Sequence, residues 1–345
     1  MSQADYVQGA IYAVFFCGVL LPMLAGFIEL RHGSDDQALR IDQAYARDPR
    51  FLGNSFRSKA DPFIAEAKVG SRTQFLARKS EFAIVVSDIA LPDGERMSDI
   101  LLSLGPIATG RSVSLLDVYG RARIILGDES SVRALVAGSD ARLGDATVVG
   151  RWVDVERNLI VGRGCDLGQS ASAGGHVTLG DGTLFKRVFG NPVMVGSEGI
   201  VPSPDDSGVQ VSMVPSGIRD FGTALSGIAP GDQCKSDIVA RGNLAVGANA
   251  TIYGSIKAAK DVIVGSGARV YGNIVSRGSI EVGPGARIFG HVFADLDVQI
   301  DAGAVIGTAG RPKTLYAGRH ASLGHGSSTY GWVITERGGR AIDAA

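Results

Sequence analysis

Between Leu244 and Ile306 apolar residues recur two apart in short runs, L-A-V, V-I-V, I-E-V and V-Q-I, and the whole arrangement repeats every 18 residues. GNLAVGANATIYGSIKAA from Gly242, KDVIVGSGARVYGNIVSR from Lys260 and GSIEVGPGARIFGHVFAD from Gly278 align without a gap, and LDVQIDAGAVIG from Leu296 keeps the opening of the pattern. Alternation with a period of two predicts strands with one buried face, and the spacing of a helix is absent. Aliphatic residues fill four columns: Leu244, Val262, Ile280 and Val298; Val246, Val264, Val282 and Ile300; Ile252, Val270, Ile288 and Ile306; and Ile256, Ile274 and Val292. Glycines stand between them at Gly247, Gly265 and Gly283 and at Gly254, Gly272 and Gly290, where a corner needs positive φ or a close backbone approach. Each repeat therefore reads as one coil of short strands with glycine corners, stacked on the next at about 4.8 Å. A coil of this kind buries its apolar face only against its neighbours, so stacking supplies the stability.

The same alternation, less regular, runs through ARIILGDESSVRALVAGSDARLGDATVVGRWVDVERNLIVGRGCDLG from Ala122 and HVTLGDGTLFKRVFGNPVMVG from His176. These are expected to be further coils with drifted corners, making residues 81–196 an irregular solenoid and 234–313 a regular one. Residues 197–233 between them, rich in Gly, Ser and Pro, are either a loop thrown out from one solenoid or a hinge between two. Residues 314–345 are expected to cap the open end through Tyr330, Trp332 and Val333.

Ahead of the repeats, Tyr6 to Ile28 is a run without charge, long enough to cross a hydrocarbon core of about 30 Å. A single N-terminal transmembrane helix over residues 1–30 is the first expectation; a signal peptide and a buried helix are its rivals. Arg31, Arg40, Arg47 and Arg50 all follow the run, which puts the bulk of the chain on the cytoplasmic side of the membrane. Residues 31–80 hold 10 Lys or Arg against 6 Asp or Glu and read as a basic, partly helical juxtamembrane linker, lying on anionic lipid or solvated. The 48 glycines are accounted for by corners, and a net charge of -1 gives no electrostatic case for nucleic acid. The fold class expected is all-β, a β-helix of 18-residue coils behind that helix.

The unit V-x-V-G-x-G-A-x-V-Y-G-x-I, whole at Val262–Ile274 and echoed at Ile280–Val292, resembles the bactofilins, the polymer-forming cytoskeletal proteins of bacteria. The likeness covers roughly 235–307 and more weakly 120–196. What it implies is a right-handed β-helix that joins end to end into non-polar filaments without nucleotide or other cofactor, often at the membrane. It implies partners in the chain itself, the inner membrane and envelope or cell-shape proteins. The transmembrane run and the 197–233 segment depart from the family's usual shorter form.

Contacts between copies are expected at the solenoid ends, around Ile84 and Val86 at one and Val298, Ile300 and Ile306 at the other, where backbone groups would be unpaired. Tyr253, Tyr271 and Phe289 form an aromatic column and Arg269 and Arg287 a basic one; both either stiffen the stack or face a partner. Two rival functions stay open, a non-polymerising binding module and a hexapeptide-repeat acyltransferase. The second needs a histidine base, and His176, His291, His320 and His325 sit in glycine-rich or polar repeat positions rather than in a recognisable site. No phosphate loop, nucleophile elbow or zinc-spaced cysteine pair is present, so no catalytic, cofactor or metal residue is assigned and no enzyme is expected.

Overall fold

The computed structural model describes residues 3–31, 48–65, 77–79, 82–85, 88–196, 215–222 and 226–342. The chain divides into two compact units, Met1–Arg47 and Asp48–Ala345. The first holds helix α1 (Gln3–Arg31), 29 residues long, whose described side chains are exposed. Among the described residues no helix is long and apolar enough to cross a membrane, so the span expected over Tyr6–Ile28 is not met there.

The second unit is a β-solenoid. Its strands pair in parallel with strands one coil on: Leu101 lies beside Val118, Val118 beside Leu135 and Val153 beside Ala171, steps of 17, 17 and 18 residues. From Leu244 the step is a constant 18, with Leu244 beside Val262 and Val262 beside Ile280. It opens once to 23, where Val292 lies beside Leu315, before two further coils close the chain. The predicted aliphatic columns and Ala250, Ala268, Ala286 and Ala304 all lie in the core. The glycine columns act by close approach: a Cβ on Gly272 or Gly290 would overlap the carbonyl of Gly254 or Gly272 in the coil before. Positive φ falls instead at Asn249, Gly267, Gly285 and Gly303, a column the repeat also contains.

Polar corner residues add ladders that sequence alternation alone does not display. The Ser255 amide donates to Asp237 Oδ1 at 2.7 Å, Asn273 to Ser255 Oγ at 3.2 Å, His291 to Asn273 Oδ1 at 2.8 Å, and Thr314 to His291 Nδ1 at 3.0 Å. A second ladder runs through Asn243, Asp261, Ser279, Asp297 and His320. Each side chain accepts the amide that the corner leaves without a backbone carbonyl, which would otherwise cost about 1–3 kcal/mol.

Two boundaries move. The segment expected to be an insertion contributes strands Ile218–Phe221, Ile228's strand Ser226–Ile228, and Gln233–Cys234, which pair with the next coil, so the second block starts near residue 215 rather than 234. Residues 197–214 and 223–225 lie outside the described residues. The tail is built as coils, through strands Lys313–Ala317, His320–Gly324 and Ser328–Ile342.

Candidate functional site

The first block ends in the strand Leu184–Val195 and the second in Ser328–Ile342, and these two last coils pair antiparallel. Leu184 lies beside Arg340, Phe185 beside Gly339, Val188 beside Val333, Phe189 beside Trp332 and Met194 beside Ser328. The two blocks are thus sealed C-terminal end to C-terminal end inside one chain. Core residues Val188 and Val333 meet across the seam, Phe185 is buried beside them, and the Phe189 and Trp332 rings stand 5.2 Å apart, edge on. Sequence reasoning missed this junction, whose trace is Phe185 facing the Gly338–Gly339 pair; a Cβ on Gly339 would overlap the Phe185 ring.

A second contact uses residues read from the sequence as linker. Helix α2 (Phe51–Ala65), capped by Asp48 Oδ1 accepting the Arg50 amide at 2.8 Å, lies on one wall of the first block. Ala60 and Ile64 bury against Leu102, Tyr119 and Val136, with Phe56 packed 5.9 Å from the Trp152 ring. Asp154, 1% exposed, is held by Arg50 at 3.0 Å, by Arg57 at 2.5 Å and by the Ser172 hydroxyl at 2.7 Å. Arg50 also binds Glu156 at 2.5 Å. Hydrogen bonding from Arg50 draws the Glu156 carboxyl below its usual range, and the acidic partners raise the Arg50 guanidinium against the opposing effect of burial. Glu156 is depressed in the fold, so its contribution is complete above its unfolded value near about 4.3 and disappears as pH falls through the lower folded value. Emission from Trp152 in a Trp332→Phe variant is therefore expected to stay constant at neutral pH and change below about pH 4, as α2 loosens.

Of the residues expected at the ends, Val298, Ile300 and Ile306 are instead interior: their strands pair with a coil on either side and their side chains are fully buried. The physical reason is the two extra coils supplied by residues 313–342. Ile84 belongs to strand Phe82–Val85, which pairs with Ala77–Lys79 on one side and Ile100–Ser103 on the other, so its backbone is no open edge; Val86 lies outside the described residues. Tyr253, Tyr271 and Phe289 stack face to face with centroids 5.3 and 4.6 Å apart and half-buried rings, while Arg269 and Arg287 are neighbours on exposed positions.

Chemistry is sparse. No group of metal-ligating side chains occurs among the described residues. Burial pushes the Cys165 thiol up to about 11, the opposite of what a nucleophile needs. Burial lowers His291, whose Nδ1 is already an acceptor in the ladder. His320 has a base-like arrangement: its Nδ1 lies 3.2 Å from Asp297, at the rim of a groove of about 600 Å³ along the junction.

No protein-family model matches the chain, nor does any curated protein or solved structure.

Proposed function

We propose that the protein is a structural scaffold of bactofilin type, which self-associates end to end without nucleotide on the cytoplasmic face of a bacterial inner membrane and positions envelope or cell-shape machinery. The single observation that carries this reading is the antiparallel seam between Leu184–Val195 and Ser328–Ile342. It makes a coil edge of this solenoid a good partner for another coil edge, with core against core. With both C-terminal ends occupied, the hairpin Ala77–Val85 and the coil Ile218–Cys234 are left for contact between copies. Arg219 shares the inward column of Ile238 and stacks over Phe221 at 4.9 Å. An antiparallel pairing of Ile218–Phe221 with its own copy, inward against inward, puts Arg219 on Arg219 or Asp220 on Asp220. Contact between unlike ends is thereby favoured, and unlike ends build open filaments, which carry a polarity that the resemblance to bactofilins does not imply. Membrane attachment is supported by the uncharged run in α1 and its exposed Phe15, Phe16, Leu20 and Leu21.

Negative-stain microscopy of the full chain in detergent, across salt concentrations and without nucleotide, is expected to show filaments a few nanometres wide. Discrete particles under every condition would sink the proposal. The His320–Asp297 pair at its groove favours acyl transfer as the second reading; turnover of an acyl donor that is lost in His320→Ala would establish it.

A further inference from the structure

One wall of the second block carries an outward column in which successive coils place Val239, Lys257, Val275, Phe293, Tyr316 and Ile334 side by side. Val275 is 39% and Phe293 38% exposed, unusual for neighbours on one face. Two residues further along the chain, in the bends just past these strands and, for Glu336, still within its strand, the column reads Arg241, Ala259, Arg277, Asp295, Gly318 and Glu336. All but Gly318 are exposed; Arg241 is paired at 3.3 Å with Asp220, which extends the outward column beside Val239, whereas neither Arg277 nor Asp295 has an ion-pair partner among the described residues. The order of charge is plus, neutral, plus, minus, neutral, minus. It inverts about a point between the coils of Val275 and Phe293.

A pattern that inverts about its centre is complementary to itself when turned over. We propose that this wall is a lateral contact with a second copy of the chain, laid face to face and antiparallel about a two-fold axis that runs along the strands. That operation keeps each column over itself and reverses the coil order. Arg277 then meets the Asp295 of the second copy, Arg241 meets Glu336, and Val275 packs on Phe293, each twice. Lys257 meets Tyr316, whose hydroxyl donates to Glu336 at 3.3 Å and so brings that carboxylate within reach of the lysine. A parallel arrangement loses every one of these charge pairs and sets Phe293 on Phe293. The same wall continues across the junction into the first block, where its outward apolar residues Leu102, Tyr119 and Val136 are covered by α2; only the second-block half is left to a partner.

The magnitude sets the role. Six coils about 4.8 Å apart and two residue pairs of about 6.6 Å give a face of roughly 24 by 13 Å, or about 300 Å², against about 800 Å² per partner in a standard stable complex. One such contact is weak, and many in register along a filament are strong. The inference deepens the self-association reading by adding a side contact, and it does not depend on which ends meet.

The test places p-benzoylphenylalanine at Phe293 in the full chain in detergent and irradiates it. A copy-to-copy adduct is expected, reduced at least roughly tenfold by Arg277→Asp alone and by Asp295→Arg alone, because each change sets like charges opposite twice. Mixing the two variants restores the adduct, as does the double variant R277D/D295R. A merely structural role for either residue would not be rescued by mixing two differently charged chains. No adduct, an adduct indifferent to Arg277→Asp, or failure of the mixture to restore it overturns the lateral contact. Microscopy of Arg277→Asp separates the two ideas: filaments that persist singly leave the end contact intact, whereas an adduct without filaments leaves the side contact and removes the end-to-end reading.

Discussion

Replacing Gly339 with valine is expected to open the junction between the two blocks while each block keeps its own coils. Gly339 lies on the last coil of the second block, and a Cβ there would occupy space already filled by the Phe185 ring of the first. Phe185 is 2% exposed and is walled in by paired strands on both sides of the seam, so it has no free rotamer to take. Overpacking of this kind costs about 1–3 kcal/mol, and more when the backbone on both sides is fixed by hydrogen bonds. The converse change, Phe185→Ala, removes the ring and is expected to cost about 3–5 kcal/mol. The pair should be non-additive, because the valine enters the space the ring leaves, so the double variant is expected to be more stable than the sum of the single losses. Trp332, against Phe189 in the same seam, reports the event: in a Trp152→Phe background the urea midpoint of its emission should fall for both single variants and recover partly in the double. Gly310, with nothing within 4 Å of its Cβ position, is the control, and Gly310→Val should leave the midpoint in place. Equal losses at Gly310 and Gly339 would remove the argument.

Asp154→Ala is expected to release α2 from the first block. The carboxylate is almost fully buried between Arg50 and Arg57, whose side chains are themselves only 16% and 14% exposed. Removing it leaves two largely buried guanidinium groups with only the half-exposed Glu156 to share, a loss of about 3–5 kcal/mol for breaking a buried pair. Gly53 makes the arrangement possible: any side chain there would overlap the Asp154 carboxylate. Hydrogen exchange over Phe51–Ala65 should accelerate by two or more orders of magnitude while the solenoid strands keep their protection. Unchanged protection in α2 would mean that the apolar contacts of Ala60 and Ile64 suffice alone. Gly53→Leu should give the same release with the ion pair chemically intact, which separates the steric cause from the electrostatic one.

The regular coils were legible because their physics is local and repeated. A branched aliphatic residue two positions from another, with glycine at a fixed distance, can satisfy its burial only by stacking on a copy of itself 18 residues away, as Val262 does on Leu244 and Ile280 on Val262. The ladder through Asp237, Ser255, Asn273 and His291 was less visible, since those residues share no side-chain type. They share an acceptor atom at one corner.

The end contacts were misplaced for a related reason. The repeat decays after Ile306, and a decayed pattern looks like an end, yet residues 313–342 still fold into two coils because strand pairing needs backbone and alternating burial rather than the repeat's glycines. The segment 31–80 was read as linker because it is basic, with 10 Lys or Arg against 6 Asp or Glu, and follows the uncharged run directly. Arg50 and Arg57 are explained only by carboxylates about a hundred residues away, at Asp154 and Glu156.

What the sequence by itself determined is the coil: its period, its buried columns and its corners, all set by interactions between residues one repeat apart. Tertiary structure alone decided how the two blocks meet and where α2 lies. Those outcomes depend on residues far apart in the chain that no period relates, and only the folded backbone brings Phe185 to Gly339 and Arg50 to Asp154.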